Sequence, residues 1–247
     1  MNPAPTFDAS TETVRAAAMV EARRRLKPRV FDTDWLVMSR LAREVERVAR
    51  TVPSGARAID FGCGSRPYAS LFEDRGCTYL GADLDGGDIG ISPDGRLEAT
   101  DGSADWLLSF QVLEHVRDLD IYLAEARRVL DRHGLLLLST HGTWLYHPHP
   151  ADYRRWTRSG LREDLESRGF ELLSCEPIVG PLAWTTLMRL TCFAAALRKI
   201  PVVGPFAAGC LAVVMNLRAA VEDKITPAWV TEDNACVYLT LSRRAEA

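Results

Sequence analysis

Three observations predict an α/β protein built on a doubly wound, mostly parallel sheet. Short apolar runs alternate with helical patterns from residue 57 onward. The first run ends in an acid and a Gly-x-Gly turn. A second run about 20 residues later, the spacing of a ribose-binding acid, ends in another carboxylate.

The first run reads Ala58-Ile59-Asp60-Phe61-Gly62-Cys63-Gly64-Ser65-Arg66-Pro67. Its glycines let the backbone turn sharply and come close to a ligand, and Asp60 at the strand end can accept hydrogen bonds from a cationic or hydroxylated group. The second run, Thr78 to Asp83, ends in a carboxylate suited to a ribose diol. A dinucleotide fingerprint asks for a third glycine where this chain has Pro67, which argues against NAD.

Taken in order, residues 11–27 follow helix propensity until Pro28 stops them, with an arginine cluster at Arg23-Arg24-Arg25. A helix is expected over 33–50, because Leu36, Val37, Leu41, Val45 and Val48 recur at helical spacing. Then follow strand 57–61, helix 67–75, strand 77–82, strand 105–110, helix 118–130, strand 134–140, helix 158–168, strand 170–176 and a final strand at 235–241. The expected organisation is an N-terminal helical arm (1–50), a core (51–176), an apolar helical insert (177–232) and a last strand completing the sheet (233–247).

A span needs about 20 apolar residues, and Arg189, Arg198, Lys199, two prolines and Arg218 interrupt the insert. The open readings are a helical cap, a homodimer face, a membrane-surface contact or a span.

Composition excludes several classes. With 247 residues, 47% of them hydrophobic, the chain can bury a full core. A net charge of −3 supplies no basic field, so no nucleic-acid partner is expected. Six cysteines lack any C-x-x-C pair or zinc-type histidine spacing, so no metal is expected. The N-terminus lacks a basic stretch followed by an apolar one, and a cytoplasmic location is expected.

Four segments together carry a family likeness. Ile59-Asp60-Phe61-Gly62-Cys63-Gly64, Gly81-Ala82-Asp83, Gln111-Val112-Leu113-Glu114-His115-Val116 and Arg128-Val129-Leu130-Asp131-Arg132-His133-Gly134 resemble, in order and spacing, the class I S-adenosylmethionine-dependent methyltransferases of the small-molecule, methyltransferase-11-like type. The likeness covers residues 55 to 176 and implies a Rossmann-like core. Two positions depart from the pattern: Arg66 or Pro67 replaces a small loop residue, and His133-Gly134 replaces a double glycine. Neither removes a group the cofactor needs.

The resemblance implies S-adenosylmethionine as cofactor and S-adenosylhomocysteine as product, and the helical arm over residues 11–50 is expected to fold over that cofactor. It places Asp60, Gly62, Cys63 and Gly64 around the methionine moiety and Asp83 with Leu84 at the ribose. Asp94-Gly95 falls near the adenine, with Asp88 as the alternative acid, and Phe110, Gln111 and His115 fall beside the cofactor.

The loop from Thr140 to Trp156 is the expected acceptor site. It resembles a subset of these enzymes that carries His-x-x-Pro/Ala-Asp-Tyr-x-Arg-Trp/Tyr-Thr before a helix. Trp144, Tyr146, His147, Tyr153, Arg155 and Trp156 are the expected substrate contacts, with Tyr153 and Trp156 walling the pocket. His149, His141 and His115 are the candidate general bases. Thr157 would cap the following helix, and Asp152 with Arg155 would fix the loop as an ion pair. His147 and His149 flank a proline, with no cysteine nearby, a poor zinc geometry.

The expected acceptor is an oxygen or nitrogen atom of a small molecule, sugar-containing or lipophilic. The rivals are a non-methylating reaction on the same cofactor, and a non-catalytic scaffold that docks a partner or membrane through residues 177–232.

Overall fold

The computed structural model describes residues 19–84, 86–148 and 151–246. The expected helix over 11–27 is seen from residue 19 to 26, and its earlier part lies outside the described residues. A helix, α1 (Trp35–Ala49), precedes a seven-stranded sheet. The sheet comprises β1 (Arg57–Phe61), β2 (Thr78–Asp83), β3 (Ile89–Gly90), β4 (Ala104–Phe110), β5 (Leu130–His141), β6 (Phe170–Ile178) and β7 (Val237–Arg244). Its spatial order is β3-β2-β1-β4-β5-β7-β6, parallel except for β7, which runs antiparallel between β5 and β6.

Side chains along these strands alternate between two cores, as a pleated sheet covered on both faces requires. Ile59, Leu107, Leu136 and Leu138 face one core with Leu119, Leu123 and Ala126 of α3 (Leu119–Val129) and Leu161 and Leu165 of α4 (Arg158–Glu166). Ala58, Leu108, Leu137 and Leu239 face the other, with Leu41 and Val45 of α1. Asp118 caps α3 by accepting from the Asp120 and Ile121 amides, and Thr157 caps α4 by accepting from Gly160, as expected for these residue types.

The second core is completed by the insert. It folds as α5 (Pro181–Leu197), α6 (Val203–Ile225) and the short α7 (Ala228–Asp233), after a small helix α2 (Ala69–Glu73) earlier in the chain. Leu187 and Leu190 of α5 join Ala208, Ala212 and Ala219 of α6 in the same cluster as α1, so the insert covers the sheet face rather than standing apart from it.

Several boundaries differ from the sequence expectation. β5 starts at Leu130, immediately after α3, because Ala104 pairs with Leu130 ahead of a bulge at Ala104/Trp106. β7 runs to Arg244 because Arg243 and Arg244 still pair with Glu171 and Phe170. The two-residue β3 had no periodic signal.

Asn216 ties the arm to the insert. It is wholly buried on α6, and its Nδ2 donates to the Val30 and Asp32 carbonyls at 2.7 and 2.8 Å. The Arg40–Asp223 ion pair, at 3.2 Å, adds a second link between α1 and α6. Asn216→Ala strands two carbonyls, and we expect a loss of about 2 kcal/mol in urea unfolding, with faster amide exchange over residues 29–34.

Candidate active site

The carboxyl ends of β1, β2 and β4 open into a cavity of about 1110 Å³. Such crevices outside the strand ends are where open α/β sheets bind ligands. Its wall includes every residue expected to hold the cofactor: Asp60, Gly62, Cys63, Gly64, Asp83, Leu84, Asp94, Gly95, Phe110, Gln111 and His115.

The loop after β1 owes its path to Gly62 at φ +86, where a Cβ would come within 2.7 Å of Val112, and to Gly64 at φ +48, where a Cβ would meet nothing within 4 Å. The Gly64 amide donates to Asp83 Oδ2 at 2.7 Å, clasping the loop against the end of β2. Where the family pattern expects a small residue, Arg66 takes φ +55 and pairs with Asp88 at 2.8 Å. Asp88 also accepts from the Gly81 amide, so this acid braces the loop. Asp94, the other adenine candidate, lies on the cavity wall and accepts from Ser92 at 2.5 Å.

Asp60 is buried beneath this loop. Tyr79 donates to its Oδ2 at 2.5 Å, and its Oδ1 has no hydrogen-bond partner. Burial pushes its pKa up to about 7; the Tyr79 hydrogen bond opposes the rise and the Asp83 charge adds to it. Phe61 stacks on Tyr122, whose hydroxyl donates to the Phe61 carbonyl, which fixes the strand end that presents Asp60.

A second cluster stands beside the cofactor residues. His115, His141, Trp144 and His147 line the same cavity. His141 and His147 lie 4.8 Å apart between ring centres, and His115 and His147 lie 5.0 Å apart. Nδ1 of His115 lies 2.5 Å from the Ala151 carbonyl, and Nδ1 of His147 lies 3.1 Å from that of Leu145.

Behind them is Glu114, wholly buried. It accepts from Thr140 Oγ1 at 2.8 Å, and its Oε1 lies 3.4 Å from His141 Nε2. Burial raises the Glu114 pKa to about 7 and drives His141 well below the ordinary histidine value. Glu114 was visible only as a letter in the motif; no periodicity showed that the short 3-10 turn Leu113–His115 would point it inward.

Glu114, His115 and His147 offer ligand atoms within 4.8 Å of one another. Ligand atoms around zinc sit about 3.4 Å apart, so the group is too open to hold that ion as it stands.

The remaining expected substrate contacts lie off the cavity wall. Tyr146 is 74% exposed and Tyr153 is 49% exposed, so Tyr153 walls no pocket. Trp156 is buried in the α3–α4 core and donates from Nε1 to Asp164, because the capped start of α4 turns it inward. Arg155 binds Asp152 at 2.5 and 2.7 Å and donates to the Leu145 carbonyl, making it a strut of the loop. That pairing holds the Asp152 carboxyl well below the usual carboxylate range. His149 lies outside the described residues.

The arm, expected from the sequence to fold over the cofactor, contributes a wall to the cavity. Glu21, Arg24, Arg25, Asp34, Val37 and Met38 line the cavity, and Arg24 is bonded to Asp34 at 2.8 and 2.9 Å. The Arg23-Arg24-Arg25 cluster was the available signal.

This arrangement, a glycine turn between two strand-end carboxylates in a doubly wound sheet, defines a nucleoside-cofactor site. The family described as "Methyltransferase domain" matches residues 36–175, more than half of the chain, and the chain belongs to that family. A probable S-adenosylmethionine-dependent methyltransferase of Mycolicibacterium smegmatis is 29% identical over 137 residues, 48% of this chain and 53% of that protein. A ubiquinone biosynthesis O-methyltransferase of a Chelativorans species is 28% identical over 102 residues, 35% of this chain and 40% of that protein. The chain thus spans about half the length, or less, of these curated relatives. The solved structure of the [4+2]-cyclase SpnF shares the fold at a TM-score of 0.56 and 15% identity, with all of both chains covered.

S-adenosylmethionine is the cofactor of the family, and the residues present fit it. Asp60 keeps a buried acceptor oxygen without a partner, and the Gly64 turn leaves open space above it. A cationic ligand favours ionised Asp60, so affinity should rise with pH through about 7. We expect calorimetry to show about tenfold tighter S-adenosylmethionine binding at pH 8 than at pH 6, with proton release, and Asp60→Ala to abolish it.

Proposed function

We propose that this protein transfers the methyl group of S-adenosylmethionine to an oxygen or nitrogen atom of a small, partly apolar molecule. The observation that carries this reading is a cavity lined both by the cofactor residues and by His141, with the Glu114 carboxylate behind that imidazole. Pockets for one drug-sized ligand run to about 1,000 Å³, and this cavity of about 1110 Å³ exceeds that, leaving room for an acceptor beside the cofactor. The acceptor end is lined by Phe110, Trp144, Val37 and Met38, which favours a lipophilic or sugar-containing metabolite over a polymer. The O-methyltransferase relative favours an oxygen acceptor.

When bound, the cofactor supplies a methyl group already activated on a sulfonium. The protein's part is alignment and proton handling. His141, neutral in its buried setting, accepts the proton of the acceptor hydroxyl or ammonium. Glu114, close to His141 Nε2, stabilises the resulting imidazolium, and the Thr140 hydroxyl orients Glu114. Asp60 and Asp83 hold the cofactor, and the Asp152–Arg155 strut keeps His147 and Trp144 at the cavity wall. His149 remains a further candidate base by sequence.

The test is a screen for S-adenosylhomocysteine formed in equal amount with methylated product. His141→Gln should leave S-adenosylmethionine affinity within about twofold and lower kcat by about 10²–10⁴. A variant that loses affinity and turnover together would place His141 in cofactor binding, and product without S-adenosylhomocysteine would exclude methyl transfer.

A further inference from the structure

We propose that the α5–α6 hairpin docks this protein on an anionic lipid bilayer, with the hairpin tip inserted and α6 lying along the surface. This inference does not depend on the methyl-transfer reading.

Helix α6 is built inside out. Its buried face carries Gly204, Ala208, Ala212, Asn216 and Ala219, while Val203, Phe206, Val214, Leu217, Val221 and Ile225 are exposed. With the exposed Cys210 between Phe206 and Val214, the set recurs every three or four residues along a helix about 34 Å long, so it forms one continuous stripe. Large apolar side chains normally occupy the buried face of a surface helix. Here the small residues pack against α5 and the arm, and the large ones are turned outward.

The stripe runs over the end of the hairpin. Val203 and Phe206 meet the connecting turn, where Ile200 is exposed and Val202 is 92% exposed. Val202 sits at φ 64 and ψ −62, and the Val203 amide donates to the Pro201 carbonyl at 2.7 Å. That is a γ-turn of the strained hand, and a β-branched residue seldom adopts it. Strain holds an apolar side chain at the exposed point of the hairpin.

Charge identifies the occupant. The hairpin, residues 181–225, carries Arg189, Arg198, Lys199, Arg218 and Lys224 against Glu222 and Asp223, a net +3, whereas the chain carries −3 overall, so the remainder carries −6. Arg198 and Lys199 immediately precede the apolar turn, the place from which long cationic side chains reach headgroups while their neighbours enter the acyl region.

By length and composition α6 could cross a membrane, but 28% of its most apolar stretch is buried in the protein and Asn216 is bonded to the arm. The helix therefore lies on the surface. Through Asn216, α6 is bonded to Val30 and Asp32 of the arm, the segment that also supplies Arg24, Asp34 and Val37 to the cavity wall.

Co-sedimentation of the full chain with phosphatidylcholine vesicles, with and without phosphatidylglycerol, tests the proposal. The wild type should pellet with the anionic vesicles and be released by salt. Val202→Asp with Phe206→Asp should remain in the supernatant. Arg198→Gln and Lys199→Gln should each lower partitioning about fivefold. All variants should keep the wild-type circular dichroism spectrum and S-adenosylmethionine affinity, so that a docking failure is separable from a cofactor failure. A wild type that stays in the supernatant with both vesicles overturns the proposal. So does a wild-type dimer, seen by light scattering, that the Val202→Asp/Phe206→Asp variant splits without any vesicle binding, which would assign the face to a second copy.

Discussion

A carboxylate buried at the end of a central strand is the constraint on which the rest of this structure turns. Asp60 can sit there because Tyr79, one strand away, donates to one of its oxygens, and because the Gly62 turn carries the chain clear of the other. The neighbouring Asp83 clasps the same turn through the Gly64 amide. The Asp83 charge nearby adds to the cost of ionising Asp60 unless a cation joins them. The same strand ends fix Phe110, Gln111 and the start of the Glu114 turn, so the acceptor side inherits its position from the cofactor side.

The fold alone does not decide the chemistry, since the cyclase SpnF has the same architecture. The group around His141 consists of a wholly buried glutamate, a threonine hydroxyl and an imidazole kept neutral by burial. Their spacing comes from the parallel register of β4 and β5, which sets Phe110 against Ser139 and brings Thr140 and His141 beside the turn that follows β4.

The alternation of strands and helices was legible because burial on both faces demands it, and Asp60, Gly62, Gly64 and Asp83 were legible because they fall at strand ends with a fixed spacing. The acceptor loop was legible in composition but not in direction. Tyr153 and Trp156 carry pocket-like chemistry, yet one faces solvent and the other enters the core, because the capped start of α4 sets which way the chain turns. The arm was expected over the cofactor, but its tie to α6 runs through hydrogen bonds between Asn216 and residues some 185 positions away, and no local pattern encodes a contact of that range. Glu114 was hidden for a similar reason: a glutamate in a three-residue turn has no period to betray its burial.

The antiparallel placement of β7 bears on how the protein comes into being. Residues 237–244 slot between β5 and β6, so until they have emerged from the ribosome both strands present bare backbone edges, and no partial chain can hold a closed sheet. Pairings spanning about a hundred residues between β5 and β7 must then form late, and contacts of that range slow the completion of the sheet. During that interval a nascent chain with two open edges and an outward-facing apolar helix is at its most vulnerable to pairing with its neighbours on the same polysome.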